Sequence, residues 1–188
     1  MLNFLYLNSL PRIIIAGMPN SRKTTLLRDM VSNLSGGFNN KYRKIAVVDE
    51  RNEICGKNNE TFTMDLGENV DVITGYPKAK GIEIATRTMS PELIVCDEIS
   101  TMSELEAIKD GFSAGVNFVL SVHCRDFDDL VNKNIVKSLL EEKEFSYIVL
   151  LNGHTYKYEI IDTTEVYDEI CRNNRSDKII NRLGIRIV

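Results

Sequence analysis

The chain has 188 residues, enough for one domain with a sizeable core, and its 43% hydrophobic and 27% charged residues are those of an ordinary globular protein. A net charge of −4 gives no global reason to expect nucleic-acid binding. Cys55, Cys96, Cys124 and Cys171 form no C-x-x-C pair, which argues against a zinc or dithiol redox motif and for a reducing, cytosolic chain.

Met1–Leu10 is apolar but short, lacks a basic leader and runs into Pro11, so neither a signal peptide nor a membrane span is expected there. Arg12–Ala16, with three isoleucines, reads as a buried strand. Lys23–Asn33 reads as a helix, with Leu26, Leu27, Met30 and Val31 at helical spacing. The Gly- and Asn-rich stretch 36–44 reads as a loop, and Ile45–Val48 as the next strand, ending at Asp49. A second polar loop is expected over 56–61.

Lys78–Thr88 is expected to be a helix that stops before Pro91. Leu93–Cys96 is a strand ending at Asp97. Ser103–Phe112 is a helix opened by a Ser103/Glu106 capping box. Asn117–Val122 is a strand ending at His123, and Ile135–Glu142 a helix. Tyr147–Leu151 and Tyr156–Ile161 read as a hairpin around Asn152 and Gly153. The basic residues Arg172, Arg175, Lys178, Arg182 and Arg186 read as a solvated face of a terminal helix.

Near-continuous apolar strands alternating with helices imply an α/β fold with a mostly parallel sheet covered on both faces. Ligands bind such sheets at the carboxyl ends of the strands. Asp49 with Glu50, Asp97 with Glu98, and His123 all stand at those ends.

A phosphate-loop pattern stands at a fourth. Gly17, Met18, Pro19, Asn20, Ser21, Arg22, Lys23 and Thr24 follow G-x-x-x-x-G-K-S/T except that Arg22 replaces the second glycine. Backbone N–H groups of such a loop converge on phosphate, and the following helix N-terminus adds a favourable dipole. Lys23 would contact the β- and γ-phosphates and the Thr24 hydroxyl would ligate Mg²⁺. Thr25 continues the same turn. Asn20 suits a left-handed position, whereas Arg22 is expected at negative φ with little strain.

Leu93–Cys96 followed by Asp97 and Glu98 is Walker B chemistry. Asp97 would hold Mg²⁺ and Glu98 would orient or deprotonate the attacking water. Glu50 belongs to an acidic cluster, 49–53, that would face the γ-phosphate, and His123 would sense it by a hydrogen bond. Arg87 is a candidate phosphate-sensing or intersubunit arginine, although a cation at a helix C-terminus is an equally good account of it. His154 reads as a surface residue.

The stretches GMPNSRKTTLLRDM, VVDERNEI, TGYPKAKGIEIATRTMSPELIVCDEIS, DGFSAGVNFVLSVHCRD and SLLEEKEFSYIVLL resemble the stage III sporulation protein AA family, related to the type II and type IV secretion ATPases. The resemblance covers about residues 12–152. It implies a RecA-like P-loop ATPase using ATP and Mg²⁺, with Gly17, Lys23 and Thr24 on Walker A and Asp97 and Glu98 on Walker B. It places Glu50 in an acidic box, where it would polarise water, and His123 in a histidine box. It also implies a homo-oligomeric ring, a hexamer, at the mother-cell cytoplasmic face of a membrane channel into the forespore. The partners would be channel proteins, with no direct membrane insertion and no nucleic acid. One ATPase core domain over 1–188 is expected, with the family's amino-terminal domain absent or reduced. Arg22 leaves a nucleotide-binding assembly component with little turnover as the alternative. A related ATPase carrying a single-stranded nucleic-acid module is disfavoured by the acidic balance.

Overall fold

The computed structural model describes residues 10, 12–58, 61–153, 157–164 and 186–187. In chain order the strands are β1 (Ile13–Gly17), β2 (Ile45–Val48), β3 (Lys57–Asn58), β4 (Thr61–Phe62), β5 (Val70–Ile73), β6 (Leu93–Cys96), β7 (Asn117–His123), β8 (Tyr147–Asn152), β9 (Lys157–Asp162) and β10 (Arg186–Ile187). The α-helices are α1 (Lys23–Ser35), α2 (Lys78–Ile84), α3 (Met102–Ser113), α4 (Phe127–Asn132) and α5 (Asn134–Glu141).

One eight-stranded sheet runs β10-β9-β8-β1-β7-β6-β2-β5. The pairs from β8 to β5 are parallel; β8–β9 and β9–β10 are antiparallel. The alternation of side chains across β1 explains why its sequence is continuously apolar. Ile13 and Ile15 pack with Leu27, Met30 and Val31 of α1, whereas Ile14 and Ala16 join the core under α3, α4 and α5 on the other face. Each fully buried isoleucine contributes roughly 1.5–3 kcal/mol.

β1 lies between β7 and β8, with Gly17 in register with His123 and Leu151. β6 lies between β7 and β2, with Cys96 opposite Leu120 and Val48. The phosphate-loop strand and the strand ending at Asp97 are therefore separated only by the strand that ends at His123.

Several elements differ from the sequence expectation. α3 begins one residue earlier, at Met102, and its capping box is Thr101 with Glu104, not Ser103 with Glu106. Both pairs have the right spacing, but Glu104 is buried and its carboxylate accepts from the N–H groups of Ser100 and Thr101 at 2.7 and 2.8 Å. The helix expected over 78–88 is α-helical only to Ile84 and continues as a π-helical turn, Ala85–Met89. β5 was hidden because Val70-Asp71-Val72-Ile73 is a half-exposed edge strand with a charge in it. The polar loop expected at 56–61 is part of the β3–β4 pair, in which Lys57 stands opposite Phe62. Arg186 lies in β10 rather than on a helix; the other four basic residues of that stretch, with His154 and Tyr156, lie outside the described residues.

Candidate functional site

At the end of β1 the chain turns sharply through 18–22 before α1 begins at Lys23. The turn needs glycine at its start: a Cβ on Gly17 would lie 2.9 Å from the Leu151 carbonyl oxygen and 2.6 Å from Ser21 Oγ. Met18, Pro19 and Asn20 form the exposed tip, and Asn20 takes the expected left-handed conformation, φ 62°. Arg22 does not behave as expected. Its φ is +71° and ψ 26°, left-handed rather than helical. It caps α1, and the loop must reverse hand there for the backbone to enter the helix. A non-glycine residue so placed costs of order 1–3 kcal/mol, which is the physical reason the pattern carries glycine at this point.

Lys23 is buried, and its ammonium folds back over the loop. It donates to the carbonyl oxygens of Gly17 at 3.0 Å and Met18 at 2.8 Å and meets His123 Nδ1 at 3.0 Å. Desolvation lowers its pKa from the ordinary lysine value, partly opposed by the nearby Asp97. Thr24 donates a 2.7 Å hydrogen bond to Asp97 Oδ2. The other Asp97 oxygen accepts from Ser121 Oγ, while the Glu98 N–H donates to that same hydroxyl at 2.9 Å. Thr25 is exposed, one residue further along α1.

Glu98 leaves the end of β6 with φ 52°, left-handed like Asn20 and Arg22. Its carboxylate pairs with Arg51 at 2.9 Å and lies 3.8 Å from His123 Nε2. A shallow cleft is lined by Asp49, Glu50, Arg51, Glu53, Lys78, Asp97 and Glu98, so the acidic cluster and the carboxylates that follow β6 share one surface. Within it the roles divide. Glu50 is exposed and accepts from the Lys78 backbone N–H at 3.2 Å. Asp49 does not face the cleft as a free carboxylate: it is 2% exposed and its oxygens accept from the N–H groups of Glu53, Ile54 and Cys55, each at 2.8 Å. It folds the loop that carries Glu50 and Arg51. Arg28 of α1 pins the same loop through the Ile54 and Glu53 carbonyl oxygens.

Arg87 lies apart from this cluster, on the π-helical turn, where it pairs with Glu83 at 2.9 Å and its side chain is 71% exposed. Sequence reasoning missed Ser121 and Lys78. The signal for Ser121 was a hydroxyl inside the otherwise apolar run 118–122, beside β6; Lys78 had no signal beyond its place in PKAKG.

The donor set fits a Mg²⁺-polyphosphate. Thr24 and Asp97 offer the hard oxygens that Mg²⁺ takes, already adjacent to one another. The Ser21 hydroxyl is buried in the loop and finds no hydrogen-bond partner among the described residues. Lys23 supplies a desolvated cation above the helix N-terminus, where an anion is favoured.

The fold is that of the secretion ATPases. The pilus retraction motor PilT, crystallised with bound ADP, superposes with a TM-score of 0.63 at 15% identity, covering 91% of this chain and 53% of PilT. The VirB11 ATPase of the Brucella suis type IV secretion system, in complex with sulphate, gives 0.59 at 14% identity over 87% of this chain and 52% of VirB11. The Legionella pneumophila ATPase DotB gives 0.55 at 14% identity over 85% and 47%. In sequence, the chain is 38% identical to stage III sporulation protein AA of Bacillus subtilis (strain 168) over 146 residues, 77% of this chain and 48% of that protein. It thus spans about half the length of the curated relative it matches. The model of the family described as sporulation stage III, protein AA, matches residues 3–172. A mostly parallel sheet that brings Lys23, Thr24, Asp97, Glu98 and His123 to one edge, and a family match across most of its length, place this chain in the sporulation stage III protein AA family.

Proposed function

We propose that the chain is the ATP-binding and ATP-hydrolysing core of a ring-forming motor that serves a secretion-like channel during sporulation. The observation that carries this reading is the hydrogen bond between Thr24 and Asp97, which joins Walker A to Walker B at the mouth of the phosphate loop. Lys23 exchanges its loop carbonyl contacts for phosphate oxygens and stays beside His123. Thr24 and Asp97 would hold Mg²⁺, which neutralises charge on the β- and γ-phosphates when bound. Glu98 accepts the proton of the attacking water once its carboxylate leaves Arg51, and His123 donates toward the γ-phosphate. Glu50, across the cleft, orients the water.

No helix among the described residues is long and apolar enough to cross a membrane. The proposed place is the cytoplasmic, mother-cell face of a channel complex, reached through protein partners. The exposed Arg87 is proposed to reach the site of a neighbouring subunit in a homo-oligomeric ring, a hexamer. A steady-state ATPase assay across protein concentration, with and without Mg²⁺, tests the reading: hydrolysis is expected to need Mg²⁺, and its absence at every concentration refutes the motor.

One observation favours a second reading. Arg22 at φ 71° puts a long side chain where the loop reverses hand, which suits nucleotide-dependent assembly with little turnover. Tight ATP binding without hydrolysis would establish it.

A further inference from the structure

We propose that Lys78 is a positioning residue for hydrolysis, holding the main chain of Glu98, and with it the carboxylate, in its left-handed conformation. The inference rests on the reading of Glu98 as the base. A glutamate at φ 52° carries backbone strain of order 1–3 kcal/mol and persists only where its surroundings over-determine it. Three hydrogen bonds do so here. The Glu98 N–H donates to Ser121 Oγ at 2.9 Å, the following Ile99 N–H donates to the Ser121 carbonyl oxygen at 2.9 Å, and Lys78 Nζ donates to the Glu98 carbonyl oxygen at 2.6 Å.

The Lys78 side chain is 11% exposed, so this charge-assisted bond lies largely out of water. The competing role for Lys78 is to neutralise Glu104, whose buried carboxylate lies 3.6 Å from Nζ. That contact is the longer of the two, and Glu104 is also held by the N–H groups of Ser100 and Thr101. Lys78 further donates its backbone N–H to Glu50. One residue at the start of α2 therefore holds both glutamates proposed for the water: Glu98 through a bond from its side chain to the Glu98 carbonyl oxygen, and Glu50 through a bond from its own main chain to the Glu50 carboxylate.

The test separates the two roles. Glu104→Gln keeps an acceptor for the Ser100 and Thr101 N–H groups, removes the charge that Lys78 would neutralise, and is expected to leave turnover near wild type. Lys78→Met in the Glu104→Gln background leaves no buried carboxylate unpaired, so it should fold, with thermal melting as the check. Its kcat is expected to fall about ten- to a hundredfold with ATP affinity unchanged, the size of effect small misplacements produce. Lys78→Arg should recover part of the rate. Independently of activity, hydrogen exchange at the Ile99 amide should quicken in the double variant. Turnover of the double variant equal to that of Glu104→Gln overturns the proposal, and so does unchanged Ile99 protection. If the wild type proves inactive while Ile99 protection still drops, the positioning role stands and the hydrolysis reading fails.

Discussion

Thr24 Oγ1 and Asp97 Oδ2 lie 2.7 Å apart, although 73 positions separate them in the sequence. The contact ties the first turn of α1 to the end of β6. If this pair holds Mg²⁺, ATP affinity in the presence of Mg²⁺ should fall in Asp97→Asn, and the difference between binding with and without Mg²⁺ should shrink. Lys23→Ala removes a charge-assisted contact of roughly 1.5–3 kcal/mol, so affinity should drop at least about tenfold. Calorimetry measures both; equal ATP affinity for wild type and Lys23→Ala would falsify the phosphate-loop assignment.

Binding and chemistry should separate at Glu98. Glu98→Gln keeps the side-chain shape and removes the base, so ATP should still bind while hydrolysis collapses. Glu50→Gln should slow hydrolysis less, because Glu50 is exposed and, among the described residues, is held by the Lys78 N–H at 3.2 Å. A Glu98→Gln protein with wild-type turnover would show that Walker B is misassigned.

The depressed pKa of Lys23 gives a pH test. Burial disfavours its ammonium, and a bound polyphosphate favours it, so ligation raises the pKa and takes up a proton above the free-protein value. ATP affinity should therefore fall as pH rises through a range below that of ordinary lysine. For folding the sign is opposite to that of a paired lysine. The folded value is the lower one, so between it and the ordinary value the unfolded chain binds more protons, and this group's contribution to stability rises with pH. Lys23→Arg, always charged, should flatten the binding profile. Titrations in buffers of different ionisation enthalpy count the proton directly, and a pH-independent wild type would remove the argument.

Arg22 at φ 71° gives a prediction about stability as well as rate. Arg22→Gly relieves left-handed strain of order 1–3 kcal/mol but adds unfolded-state entropy of roughly 0.5–1 kcal/mol, so a net gain of about 1 kcal/mol is expected. Denaturant melts measure it. Nucleotide affinity and turnover should change by less than about tenfold, or 1.4 kcal/mol. Restoration of turnover by about a hundredfold in Arg22→Gly, from an inactive wild type, would identify Arg22 as an inactivating change.

A site completed between subunits makes activity depend on assembly. Specific activity should rise with protein concentration, and Arg87→Ala should lower it without altering the single-subunit fold, because the side chain is exposed and its ion pair among the described residues is with Glu83, four positions back. Constant specific activity from a species that light scattering shows to be monomeric would sink the ring.

Local chemistry alone determined most strands of the main sheet and most helices. A buried parallel strand must be apolar on both faces, which made 13–16, 45–48, 93–96 and 117–122 legible, and the residue types at their ends marked the candidate site. The same logic failed at Val70–Ile73, where an edge strand buries only part of its surface. Spacing could not choose between Thr101/Glu104 and Ser103/Glu106 as the cap of α3; burial of Glu104 beside Lys78 chose. Nor could sequence tell that Asp49 spends its carboxylate on three backbone N–H groups while Glu50 reaches the cleft, because that depends on how the loop closes. The hand of the backbone at Arg22 and Glu98, and the contacts of Ser121 and Lys78 that hold Asp97 and Glu98, belong to the tertiary structure. They arise where strands remote in sequence end side by side, and only there do groups that share no periodicity come within hydrogen-bonding distance.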